Sequence, residues 1–213
     1  MDRLIIRNET ESDFKEVETL IREAFWNLNV PGCDEHYLAH ILRGHKDFIP
    51  ELDLVAELDG KIIGSVMYTR STLTDESGNK KDILTFGPLS VLPGYQRMGV
   101  GKALLERSFE IARNMEYEVI VIFGSPANYS SRGFKSCKKY NICLEGDVFP
   151  TAMLVKELNV GALDGRKMIF SESSAFNIDS AEAEKFDSLF PPRVKEYRVS
   201  QEEFFIYSHS SIN

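Results

Sequence analysis

One stretch, a strand that runs into a tight turn and then a helix with two glycines at the junction, limits most how this chain can fold. Ile83 to Val91 is apolar and rich in β-forming residues, which predicts a strand, and Pro93-Gly94 then turns the chain. From about Gly101, small and apolar residues recur at Leu104, Leu105, Ser108, Ile111, Ala112 and Met115, the spacing of a helix with one buried face. Between the two lies Gln96-Arg97-Met98-Gly99-Val100-Gly101. Two glycines two apart at a helix start let successive backbone N–H groups converge on one concavity at the positive end of the helix dipole, a setting that suits a phosphate. Arg97 and Lys102 add fixed positive charge there.

Two familiar phosphate loops do not fit. A P-loop needs Ser or Thr after Gly-Lys, and Ala103 follows Lys102, while Gln96 occupies the position of its earlier glycine. A dinucleotide fingerprint needs a third glycine where Leu104 stands. What remains is Gln/Arg-x-x-Gly-x-Gly/Ala after a strand, met at Gln96, Gly99 and Gly101. A second segment, Asn128-Tyr129-Ser130-Ser131-Arg132-Gly133-Phe134, follows a fully apolar strand at Val119-Ile120-Val121-Ile122.

Together these segments resemble the coenzyme A pyrophosphate loop and the Tyr-x-x-x-Gly-Phe segment of the GNAT superfamily of N-acetyltransferases. The resemblance covers roughly residues 3–158 and implies an α/β fold, a central mixed sheet of about seven strands flanked by helices. It implies acetyl-CoA as cosubstrate, gripped at its diphosphate by Gln96, Arg97, Met98, Gly99, Val100, Gly101 and Lys102. It also implies that strand residues Leu89, Ser90 and Val91 line the pantetheine, with Leu89 and Val91 pairing with its amides. Tyr129 is the implied general acid for the leaving thiolate; a phenol of pKa about 10 suits a thiolate of about 8–9. The alternative to this role is a tyrosine that packs under the sheet. Asn128 is a candidate cofactor contact or an ordinary helix cap. The chain departs from the family pattern where Ile122 stands in place of an asparagine. Pro88 cannot donate to a ladder, which fits an irregular edge on the central strand.

Elsewhere the order reads as strand (Leu4–Arg7), helix (from Thr10, with Phe14 to Phe25 as its apolar face), helix (Asp34–Arg43) and a hairpin turning at Asp59-Gly60. Lys139–Leu144 and Ala152–Leu158 read as two further strands. Residues 159–213 form an extension: a strand at Lys167–Phe170, a helix capped by Ser at Ser180–Phe190 and stopped by Pro191-Pro192, and a stretch Gln201–Tyr207 apolar on one side. Its aromatic content predicts that it packs on the 1–158 domain as part of one unit, and it resembles the tail of a bacterial branch of GNAT proteins.

The formal net charge of −8 argues against general nucleic-acid binding and is compatible with a cationic acceptor. An odd, sparse set of cysteines, Cys33, Cys137 and Cys143, predicts a reducing compartment without a disulfide framework. Met1-Asp2-Arg3 leads into a strand without a signal peptide, and no apolar run approaches the ~20 residues that span a bilayer. The expectation is a cytoplasmic protein with no membrane or nucleic-acid partner, and a homodimer by default. Cys33, His36 and His40, with His45 following, have metal-like spacing; lacking a matched fourth ligand they read as helix-surface and pocket-lining residues, and no metal is expected. Cys137 and Cys143, an even number apart on an expected strand, are expected as small core residues facing one side.

An attacking amine needs a proton acceptor, and Glu35, His36, Asp82 and Glu145 are candidates by rough placement. The reading is N-acetylation of a small-molecule or peptide amine by direct attack in a ternary complex. The alternatives are a non-catalytic acyl-CoA sensor or interaction module and, third, a nucleotide-phosphate enzyme.

Overall fold

The computed structural model describes residues 4–213, so the opening Met1-Asp2-Arg3 lies outside the described residues. Among the described residues nine strands form one mixed sheet. They are β1 (Leu4–Asn8), β2 (Leu54–Leu58), β3 (Lys61–Asp75), β4 (Lys80–Val91), β5 (Val119–Phe123), β6 (Lys135–Ser136), β7 (Ile142–Cys143), β8 (Met153–Glu157) and β9 (Met168–Ser171). Seven of them lie side by side in the order β1-β2-β3-β4-β5-β8-β6, while β9 pairs with the far end of β3 and with β7. The helices are α1 (Phe14–Phe25), α2 (Glu35–Leu42), α3 (Val100–Asn114), α4 (Pro126–Tyr129), α5 (Ser180–Asp187) and α6 (Val199–Ser208).

The periodicity of each helix explains its seat. Val17, Leu20 and Ile21 of α1 and Leu104, Leu105, Phe109 and Ala112 of α3 are buried in the larger core. β5 is apolar on both faces because β4 and β8 flank it and both of its faces are covered. Strands β4 and β5 are parallel and share a single bridge, Leu84↔Ile120. Beyond Leu84 they part, and β4 carries a register shift against β3 where Phe86 pairs with Tyr68 and Leu89 with Val66. Pro88, which has no N–H to give, sits in that shift.

Several local expectations are corrected. Lys139–Leu144 is no continuous strand: a 3-10 turn occupies Cys137–Tyr140, Asn141 is left-handed at φ 56, and the two residues of β7 pair with β9. Cys137 thus lies in a turn, although it and Cys143 are both fully buried in one core cluster. The cap of α5 is Asp179, whose Oδ1 accepts from the N–H groups of Ala181 and Glu182, and that helix ends before Pro191. Gln201–Tyr207 belongs to α6, with Phe205 and Ile206 exposed and Gln201 buried.

The extension is tied to the body by polar contacts. Arg22 Nε donates to Asp187 Oδ1 (2.7 Å), and His36 Nε2 lies 3.1 Å from the same oxygen. Buried Asn27 donates Nδ2 to Val194 O and accepts at Oδ1 from the N–H of Gly32 and of Glu196, while Gln201 Nε2 donates to Asn27 O. His36 is therefore an interior residue between α1, α2 and α5, neither on the helix surface nor at a pocket wall. Burial pushes its imidazole down from 6.5 to about 4. Between those values the unfolded chain binds a proton that the folded chain does not, so this residue's contribution falls as pH drops through the window. Burial lifts Glu35 in the opposite sense, to about 7, so the bare slope mixes both. The difference in denaturation midpoint between wild type and His36→Phe is expected to shrink steadily from pH 6.5 to pH 4, and a difference flat across that range would refute the linkage.

Candidate active site

A cleft of about 830 Å³ opens where β4 leaves β5, a volume in the range of small-molecule sites. It is lined by Leu89 and Val91 of β4, by the loop and first turn of α3, and by Ser125, Ala127, Asn128 and Tyr129. The loop earns its shape from two left-handed residues, Arg97 at φ 60 and Gly99 at φ 90. The first helical hydrogen bond runs from Ala103 N to Gly99 O, which leaves the N–H groups of Val100, Gly101 and Lys102 without helix partners. Gln96 braces the loop by donating Nε2 to Val91 O at 3.1 Å.

Of the residues expected from sequence, Leu89, Val91, Gln96, Arg97, Gly99, Val100, Gly101, Lys102, Asn128 and Tyr129 line this one cleft. Ser90 and Met98 do not: the Ser90 hydroxyl is buried against Ser65 Oγ at 2.7 Å, and Met98 is half exposed outside the lining. Asn128 is the third residue of α4, whose cap position is Ser125, so it is no helix cap. Lys102 is loosely paired with Glu106, 3.5 Å away on the exposed face of α3.

Tyr129 is half buried, its ring 5.7 Å from those of both Phe86 and Phe134. Gly124 lies flat under the same ring: a Cβ there would fall 2.6 Å from Tyr129 Cε2. Burial, and next the neighbouring phenol of Tyr207, push the Tyr129 hydroxyl up to about 12, so it stays protonated through the physiological range.

The rest of the wall was not legible in the sequence. Trp26, Asn27, Leu28 and Asn29 between α1 and α2 form one side, with Glu23 of α1. Arg198, Ser200, Glu203 and Tyr207 from the start and body of α6 form another, so the extension completes the cleft. The Asn27 contacts that hold the extension carry the signal, and they join residues more than 160 positions apart.

None of the four residues offered as bases lines the cleft. Asp82 is exposed at the start of β4, Glu145 is exposed in the turn after β7, and His36 is interior. Glu35 stands one layer back, accepting from Asn29 Nδ2 at 3.1 Å and from Asp34 N at 3.2 Å. Cys33 Sγ is 3.6 Å from His36 Nδ1, but burial and then the Glu35 charge push the thiol up, away from the reactive thiolate. Among the described residues no three His, Cys, Asp or Glu side chains gather as ligands around a metal ion would, and no helix is long and apolar enough to cross a membrane.

Comparison with known proteins agrees with this geometry. Residues 17–136 match the Acetyltransferase (GNAT) family. The chain is 27% identical over 175 residues to the uncharacterized N-acetyltransferase YhbS of Escherichia coli K12, covering 82% of this chain and 99% of that one. It is 34% identical over 88 residues to YjhQ, an uncharacterized N-acetyltransferase of the same organism; that match takes in 41% of this chain and spans about half (48%) of YjhQ. In three dimensions it resembles the crystal structure of E. coli YhbS in complex with CoA, with TM-score 0.70 and 25% identity over 83% of this chain and 93% of that one. A Brucella melitensis GNAT acetyltransferase crystallised with acetyl-CoA shares the fold at TM-score 0.64 and 23% identity, over 83% and 99% of the two chains. With more than half of its length inside the family match, this chain belongs to the GNAT acetyltransferase family.

Proposed function

We propose that this protein transfers an acetyl group from acetyl-CoA to a primary amine by direct attack in a ternary complex, with residues 1–158 and 159–213 acting as one unit. The observation that carries the reading is the shared cleft. The start of α3, with its unpartnered N–H groups, and Tyr129 line the same cleft, beside the gap where β4 leaves β5. The free N–H groups of residues 100–102 and the positive charge of Arg97 suit a diphosphate. The unpaired edge of β4 from Phe86 onward offers main-chain groups to the pantetheine amides and an N–H to polarise the reacting carbonyl. The coenzyme, when bound, supplies an activated acetyl thioester. Tyr129 donates its proton toward the sulfur as the C–S bond breaks. Because its hydroxyl is pushed up to about 12, the phenol serves first as a hydrogen-bond donor to the developing thiolate.

Incubation with acetyl-CoA and a panel of primary amines, read by thiol release, tests this function. Thiol release that depends on an amine supports it; CoA binding without release across the panel supports the sensor reading. The acceptor is an amine of small-molecule or peptide size, and the cleft offers it the carboxylates of Glu23 and Glu203 beside the guanidinium groups of Arg132 and Arg198.

Gly124 provides a finer check. Gly124→Ala puts a methyl against a rigid ring at 2.6 Å, so Tyr129 must move. Transfer is expected to fall about tenfold or more, since sub-ångström to 1 Å displacements of a catalytic group cost that much. CoA affinity, measured by calorimetry, should stay as in wild type.

A further inference from the structure

We infer that α6 is a bar across the cleft that selects the acceptor by its width, with Tyr207 as the specificity-determining residue. The assignment rests on the acetyl-transfer reading above and names its substrate class, a slender primary amine or a flexible chain end. Both ends of α6 are fastened beside the cleft. At its start, Ser200 Oγ donates to Leu28 O at 2.8 Å and Gln201 Nε2 to Asn27 O at 3.0 Å, in the turn after α1 that lines the cleft. At its finish, the N–H of Thr151 donates to Ser210 O at 2.9 Å and that of Ile212 to Phe149 O at 2.8 Å, just before β8. The next residue, Ala152, accepts at its carbonyl from the N–H of Gly124 at 2.9 Å, and Gly124 leads directly into the lining residue Ser125. Ten residues of helix, about 15 Å, therefore run from one lining segment to another.

The two faces of this helix differ. Ser200, Glu203 and Tyr207, at i, i+3 and i+7, line the cleft. Glu202, Phe205, Ile206 and His209 form the opposite stripe and are exposed, Phe205 and Ile206 at 57% each. With one face on the cleft and the other on solvent, α6 separates the two there. Tyr207 is the largest of the inward side chains and is held in place: it is half-buried, and its ring meets that of Phe204 edge-on at 5.5 Å. It also stands by the reacting end, near enough for its phenol to raise the Tyr129 hydroxyl. A ring fixed beside the acid narrows the path by which an amine reaches the thioester. An unbranched alkylamine passes it, a cyclic or branched one meets it, and a lysine on a folded surface is stopped at α6. Selection of this kind works by clash with the wrong acceptor rather than by attraction of the right one.

The test uses the full chain, acetyl-CoA and three probe acceptors: butylamine, cyclohexylmethylamine and folded lysozyme. Wild type is expected to favour butylamine over cyclohexylmethylamine and to leave lysozyme unmodified. Tyr207→Ala should raise the kcat/KM ratio of cyclohexylmethylamine to butylamine about tenfold or more, the worth of a methylene or two of pocket space. CoA affinity, measured by calorimetry, should stay as in wild type. Tyr207→Leu removes the ring but keeps an apolar side chain on the helix, and it should move the ratio in the same direction, so the test does not depend on α6 tolerating alanine. Tyr207→Phe, which keeps the ring, and Ile206→Ala, on the outward face, should both keep the wild-type ratio. Transfer to butylamine with a ratio within a factor of two of wild type in both Tyr207→Ala and Tyr207→Leu sinks the width assignment alone. So does a ratio that moves as far in Ile206→Ala, or a wild type that acetylates folded lysozyme as readily as butylamine. A wild-type chain that does not bind CoA, or binds it and acetylates none of the three probes, overturns the acetyl-transfer reading and this assignment together.

Discussion

Tyr129→Phe should lower the rate of acetyl transfer by two to four orders of magnitude, the usual worth of a positioned acid or base, while CoA binds as before. The substitution removes one oxygen and keeps the ring, and the ring makes the packing contacts, with Phe86, Phe134 and the flat surface over Gly124. Stability is therefore expected to change little, and the loss to fall on kcat. The raised phenol adds a second, sharper expectation. A hydroxyl pushed up to about 12 stays protonated, so the wild-type profile should show no loss of activity from Tyr129 ionisation below about pH 11. Acceptors with more acidic ammonium groups, already neutral at pH 7, leave the thiolate step as the slow one and should feel the change most. Steady-state rates with matched amines, beside calorimetry with CoA, check both points. A rate in Tyr129→Phe within a factor of two of wild type would return Tyr129 to a packing role.

Gly101→Val should weaken CoA binding about a hundredfold and leave the fold as stable as wild type to within about 0.5 kcal/mol. A Cβ on Gly101 meets only Val91 Cγ2, at 3.7 Å, an ordinary contact, and this glycine has no left-handed backbone to lose. Valine costs a helix no more than glycine does, so the protein itself does not need a glycine there. The need would come from a ligand close to the N–H groups of residues 100–102; two charge-assisted hydrogen bonds lost at about 1.5–3 kcal/mol each give the stated loss or more. Gly99 is the contrast. Its φ of 90 caps α3 in a left-handed conformation, so Gly99→Ala is expected to destabilise the fold by about 1–2 kcal/mol whatever binds. Parallel denaturation and CoA titration of the two variants separate the roles, and full affinity in a stable Gly101→Val would argue against a diphosphate in this turn.

Local elements were readable wherever neighbouring residues decide them. The strand expected at Ile83–Val91 lies within β4, and the helix expected from about Gly101 is α3, which begins at Val100. Periodicity and turn chemistry act over a few residues, so no distant contact is needed to read them. Lys139–Leu144 shows the opposite case. Its alternation favours a strand, but Asn141 turns left-handed, only Ile142 and Cys143 pair, and their partner is β9 of the extension rather than the neighbouring β8. Bases offered by placement fared likewise. Glu35 came within one hydrogen bond of the cleft wall, while Asp82 and Glu145 ended exposed and away from it.

The sequence by itself determined the phosphate-loop geometry, since backbone turns at Arg97 and Gly99 and the start of α3 depend on residues a few positions apart. It determined as well the two motifs that mark the family. Only the tertiary structure decided what closes the cleft. Asn27 and Gln201 must meet across 174 positions before α6 can bring Glu203 and Tyr207 to the wall. Such contacts form between chain segments whose separation no local pattern records, because burial rewards the meeting of apolar surfaces without regard to their distance along the chain.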